Sequence, residues 1–159
     1  MKTLVCSLVW TFSSFATGAA ETPLTVPEEA DTTEVLIDDI RFEAEDFQID
    51  PKTKRATVKL TLTSLKENPR ELKINVYGTQ LVDDQRNAYY FSTIELGRVT
   101  MQFADKQNYL HYLLQPNTPV PLTITADGIG PEVTSIQVIK VVFEDGAEPG
   151  RFLDVYLTN

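Results

Sequence analysis

The stretch ATVKLTLTSL, residues 56–65, decides the fold class. Val58, Leu60 and Leu62 alternate with Lys59, Thr61 and Thr63, the two-residue period of a strand with one wet face; a helix would scatter these apolar side chains around its surface. Working outward, Leu72, Ile74 and Val76 alternate with Lys73, Asn75 and Tyr77, and Val120, Leu122 and Ile124 with Pro121, Thr123 and Thr125. The run IQVIKVVF, 136–143, is apolar on both faces except at Gln137 and Lys140, which predicts a central strand. A last strand over 152–157 follows the loop EDGAEPG, whose glycines and proline stop either element from continuing. Less regular strands are expected at 35–42, 88–96, 98–103 and 109–114. No helical period runs for ten residues or more after residue 20. The pattern predicts an all-β chain, an antiparallel β-sandwich of about 7–9 strands with a closed barrel as its competitor.

The order of an early acidic strand, the threonine-rich TVKLTLTSL, a strand ending in LVDDQRNAYYF, a short QPNTPVPLTI strand and the closing IQVIKVVF resembles the uncharacterised exported immunoglobulin-like domains of bacteria, a family related to a secreted mycobacterial immunoprotective antigen. The resemblance covers roughly residues 34–145 and implies an immunoglobulin-like sandwich outside the cytoplasm. It supplies no catalytic residues. It departs where many members carry a glycine after the aspartates, because Arg86 and Asn87 stand there.

The first twenty residues, MKTLVCSLVWTFSSFATGAA, place Lys2 before an apolar stretch from Leu4 to Phe12 and end in Gly18, Ala19 and Ala20. That order is a secretory signal peptide, cleaved after Ala20; the apolar stretch is far short of the roughly 20 residues a membrane span needs. The expected localisation is periplasmic or extracellular, with no stable membrane span after cleavage. Cys6 and Trp10 would leave with the signal, so the exported chain has no disulfide, thiolate metal site or cysteine nucleophile. Residues 21–33, ETPLTVPEEADTT, read as an acidic flexible linker, and 34–159 as one domain.

Charge is unevenly distributed. Residues 21–50 hold 11 acidic residues against the single base Arg41, whereas 51–159 hold 12 of each sign. The acidic run reads as a solvated segment. Without a basic stripe, nucleic acid is not an expected partner.

The densest polar constellation is LVDDQRNAYYF, 81–91. Counting from Asp84 as the first position of a helix-flanked calcium loop, the twelfth is Glu95, but the third, fifth and sixth are Arg86, Ala88 and Tyr89, so that match fails. A looser calcium site on Asp83, Asp84 and Asn87 is the metal candidate, and a hairpin turn is the competing reading, since Asp and Asn accept tight-turn geometry and bond nearby amides. The only histidine, His111, shares a strand face with Tyr109 and Leu113 and reads as a partly buried histidine with one hydrogen bond. Neither a GxSxG elbow, a dinucleotide fingerprint nor a phosphate loop occurs, and no cofactor is expected. Tyr89, Tyr90 and Phe91 are consecutive, so at least one must face away from the core; Tyr109 and Tyr112 oppose one another in the same way. Tyr89, Tyr90, Tyr109 and Tyr112 are thus the candidate binding surface, as a stack for sugar rings or an anchor for a protein.

These features lead to the expectation of an exported, non-enzymatic binding or structural domain that engages an envelope or extracellular partner, most simply a protein. Two alternatives stay open. One is a small exported hydrolase built on paired carboxylates; the other is a calcium-stabilised structural module.

Overall fold

The structure, a computed structural model, describes residues 33–159. The signal-peptide reading and nearly all of the linker reading fall outside the described residues. Twelve strands follow one another: β1 Glu34–Ile37, β2 Ile40–Asp50, β3 Arg55–Ser64, β4 Arg70–Asn75, β5 Gln80–Asp83, β6 Ala88–Tyr90, β7 Thr93–Leu96, β8 Val99–Gln102, β9 Tyr109–Leu114, β10 Val120–Asp127, β11 Ile136–Glu144 and β12 Phe152–Thr158. The helical content of the described residues is a single 3-10 turn, Phe103–Asp105.

The strands form two antiparallel sheets packed face to face. One runs in the order β1-β2-β3-β10-β7-β8. The other is centred on β11, which has β12 on one side and both β5 and β4 on the other; β5 in turn pairs with β6, and β4 with β9. The alternation that begins at Val58 now has its partners: Val58, Leu60 and Leu62 face Ile124, Leu122 and Val120 across β3 and β10. Their side chains meet Leu72, Ile74, Ile139 and Val141 of the opposite sheet in one continuous core. Phe42 and Phe143 touch across the two layers, with ring centroids 5.4 Å apart. Each such fully buried side chain contributes about 1.5–3 kcal/mol relative to leaving it exposed.

Several elements differ from the sequence reading for local reasons. The expected strand at 35–42 is a hairpin, because Asp38 and Asp39 both adopt positive φ, 48° and 56°, the backbone that a two-residue turn matching the twist of its strands requires. β2 then continues to Asp50 through a bulge between Ala44 and Asp46. The bulge moves the inward set from even to odd positions, so Phe42 and Ala44 give way to Phe47 and Ile49. Seven of the eleven acidic residues of 21–50 therefore lie in residues 34–50, on this hairpin. Four of those on the hairpin have basic partners: Asp38 with Arg70, Asp39 with Lys66, Asp46 with Lys59 and Glu43 with Arg41. The expected strand at 88–96 divides at Phe91–Ser92, where the chain crosses from one sheet to the other.

Candidate functional site

The turn in LVDDQRNAYYF closes the β5–β6 hairpin. Asp83 is almost fully buried and accepts four hydrogen bonds: from the amides of Gln85 and Asn87, each at 2.8 Å, from Asn87 Nδ2 at 2.9 Å and from Tyr89 Oη at 2.8 Å. Burial pushes its pKa up, but these donors outweigh it and hold the carboxyl below its ordinary value. Asp84 faces the other way and accepts from the Thr134 amide and hydroxyl, which hold its pKa down. Asp83 is thus fully engaged within the protein and Asn87 turns its donor nitrogen to it, whereas Asp84 uses only Oδ2 and its buried Oδ1 has no hydrogen-bond partner. Among the described residues, no group of three or more His, Cys, Asp and Glu is placed to hold a metal ion. Beside the turn lies an open groove of about 480 Å³ lined by Val82, Asp83, Asp84, Arg86, Gln137 and Val138, with Thr158 and Asn159 at its end.

The four candidate tyrosines do not share a surface. Tyr89 is half-buried, its hydroxyl on Asp83 and its ring against the core. Tyr112 packs inward under the β7–β8 turn: a Cβ at Gly97, whose φ is +56°, would lie 2.5 Å from Tyr112 Oη. Tyr109 stands on the outer face of its sheet, stacked on Phe152 at 5.9 Å and capped by Lys73 Nζ at 4.5 Å. His111 lies beside it, exposed rather than partly buried, with Nδ1 2.6 Å from Glu71 Oε1.

Tyr90 is half-exposed and belongs to a different cluster. Its ring stacks on Phe103, with centroids 5.6 Å apart and planes inclined by 30°. Tyr77 meets Phe103 edge-on from the other side at 5.8 Å. Phe91, fully buried, supports Phe103 from below at 5.6 Å. Tyr77, Phe103 and Tyr90 thus form a row of exposed rings seated on the core.

Each ring is held by local backbone chemistry. Tyr77 is carried by a bend between β4 and β5, where Asn75 Oδ1 accepts from the Gly78 amide and the Thr79 hydroxyl donates to Asn75 O. The same hydroxyl accepts the Val142 amide of β11 at 3.2 Å, replacing the backbone acceptor the bend removes from the ladder. Gly78 is required there, since a Cβ would lie 2.9 Å from Val142 Cβ. Phe103 opens the 3-10 turn: the Gln102 amide donates to Asp105 Oδ2, Lys106 closes the turn at φ 53°, and the Phe103 amide donates to Ser92 O at the sheet crossing. A left-handed non-glycine residue costs about 1–2 kcal/mol, and such strain clusters at functional segments.

Tyr77 was legible as an outward residue from its alternation with Val76. Phe103 was not, because MQF reads as the end of a strand; the signal was the abrupt polar run ADKQN behind it. No protein-family model matches this chain, and none of the curated proteins matches it either. The carboxylates with resolved shifts, Asp38, Asp50, Asp83, Asp84, Asp127 and Glu144, are all held low by internal donors or cations.

Proposed function

We propose that this is an exported, non-enzymatic binding domain, a relative of the bacterial immunoglobulin-like domains it resembles, that engages an envelope or extracellular component through the Tyr77–Phe103–Tyr90 row. The observation that carries the reading is that three large rings stay exposed while locked by a bend, a 3-10 turn and a buried phenylalanine. Water-exposed aromatic surface that is also rigid gives binding area at little entropic cost. Export is supported by the order of charge, apolar stretch and small residues in 1–20. The hydrolase alternative receives no support from the carboxylates, since a catalytic acid needs a raised pKa and those with resolved shifts are lowered.

The test is a photo-crosslinking amino acid at position 90 or, as comparison, at exposed Tyr156, in the full chain made by its own cells. An adduct formed from position 90 and not from position 156 is expected. Equal labelling from both positions, or none from either, would overturn the reading.

A further inference from the structure

We infer that the ligand of the aromatic row is a neutral carbohydrate chain, an inference that rests on reading the row as the binding surface. The size of the patch argues first. Among the described residues, the other large exposed apolar side chains are Leu36, Leu65, Leu113 and Tyr156, which lie on β1, after β3, on β9 opposite Glu71 at the far end of β4, and on β12. The row is therefore an isolated patch of three rings, the size of a few sugar rings.

The rim argues next. Gln80 sits directly opposite Tyr90 in the β5–β6 ladder. The Asn108 carbonyl accepts the amide of Val76, which places Asn108 beside Tyr77, and Gln107 lies between it and the 3-10 turn. Side-chain amides both donate and accept, as the ring of hydroxyls on a sugar does. A pyranose also presents apolar C–H faces, which fit ring faces whose edges carry tyrosine hydroxyls.

The local charge favours a neutral ligand. The two ionised residues of the 3-10 turn segment, Asp105 and Lys106, have opposite signs, and Asp105 Oδ2 already accepts the Gln102 amide. A cationic ligand would find no carboxylate reserved for it. An acidic polysaccharide would find no cluster of cations beside the rings, since Lys106 is paired in sequence with Asp105.

The experiment titrates the full chain by NMR and calorimetry with four neutral probes, cellohexaose, laminarihexaose, chitohexaose and maltohexaose, and with hexagalacturonate as the charged comparison. Saturable binding of at least one neutral probe is expected, weakened about tenfold by Tyr90→Ala and by Phe103→Ala, retained by Tyr90→Phe and unchanged by Tyr156→Ala. Should Phe103→Ala lower the melting temperature, Tyr90→Ala decides, because its ring stands outside the core. Absence of binding by every neutral probe, or binding that Tyr90→Ala leaves intact, would overturn the carbohydrate assignment. The position-90 crosslink separates the two readings: an adduct removed by protease and untouched by periodate leaves a binding surface whose ligand is a protein, whereas no adduct removes both.

Discussion

Arg70 Nη2 donates to Asp38 Oδ2 at 2.7 Å, joining the first residue of β4 to the β1–β2 turn in a corner where both side chains are nearly enclosed. The Gly146 amide donates to the same oxygen at 2.8 Å, so one carboxylate fastens three separate segments. Asp38→Ala would leave the Arg70 guanidinium enclosed without its counter-charge, keeping only the Asp38 carbonyl as acceptor, and a loss of about 3 kcal/mol is expected, read as a shift of the urea midpoint. A replacement that costs less than about 0.5 kcal/mol, the ordinary range for surface positions, would show the corner to be ornamental.

Gly146→Ala is expected to injure the same corner from the opposite side. A Cβ there would lie 2.5 Å from Arg70 Nη2 and 3.1 Å from Asp38 Oδ2, so the pair must part or the loop must move. The cost should be about 1–3 kcal/mol, and it should largely vanish when Asp38→Ala is already present, a coupling that a double-mutant cycle measures.

Acid should unfold the protein through Asp38 and Asp83. Burial raises both pKa values, but hydrogen bonds, from Arg70 and Gly146 in one case and from Asn87, Tyr89 and Gln85 in the other, hold both below 3.8. The unfolded chain then binds protons more tightly than the folded one, so their stabilisation is complete above about pH 4 and is lost as pH falls through the lowered folded values. Urea midpoints should be level between neutral pH and about pH 5 and fall below about pH 4. Asp83→Asn should flatten that fall while lowering the plateau by about 2 kcal/mol.

Calcium should leave the melting temperature of the full chain unchanged, and a chelator should leave it equally unchanged. A ligand that binds only the folded state must raise the transition, and the Asp83 lone pairs are already taken by four protein donors. A rise that depends on calcium and disappears in Asp83→Ala would restore the metal reading of the turn.

Arg86 occupies φ 67°, a left-handed conformation that favours glycine. Arg86→Gly removes the left-handed strain at the expense of a floppier unfolded chain. The balance should favour the variant by about 0.5 kcal/mol, visible as a slightly higher melting temperature with the β5–β6 hairpin unchanged.

Uninterrupted alternation made β3, β4 and β10 readable, because each keeps one inward register from end to end, while β11 was readable from its apolar run despite a register shift between Ile136 and Val138. β2 was hidden by the bulge at Glu45, which reverses parity halfway along a single strand. The division between β6 and β7 was hidden because Tyr90, Phe91 and Ser92 change sheets without any glycine or proline to mark the passage. The candidate site was half legible for a related reason. Outwardness follows from parity, so Tyr90 and Tyr77 were visible singly, whereas their meeting on Phe103 depends on a bend and a turn made by Asn75, Thr79 and Asp105, whose pairings are tertiary.

The strand order also decides which way the molecule faces. β1 and β8 are opposite edges of one sheet, about five strand spacings of 4.8 Å apart, and Phe103 follows β8 directly. Thr33 lies at the β1 edge, where it lines a hollow shared with Asn159. Thr33 therefore lies on the flank of this sheet remote from Phe103. An attachment made on the β1 flank would leave Tyr77, Phe103 and Tyr90 on the side away from the support.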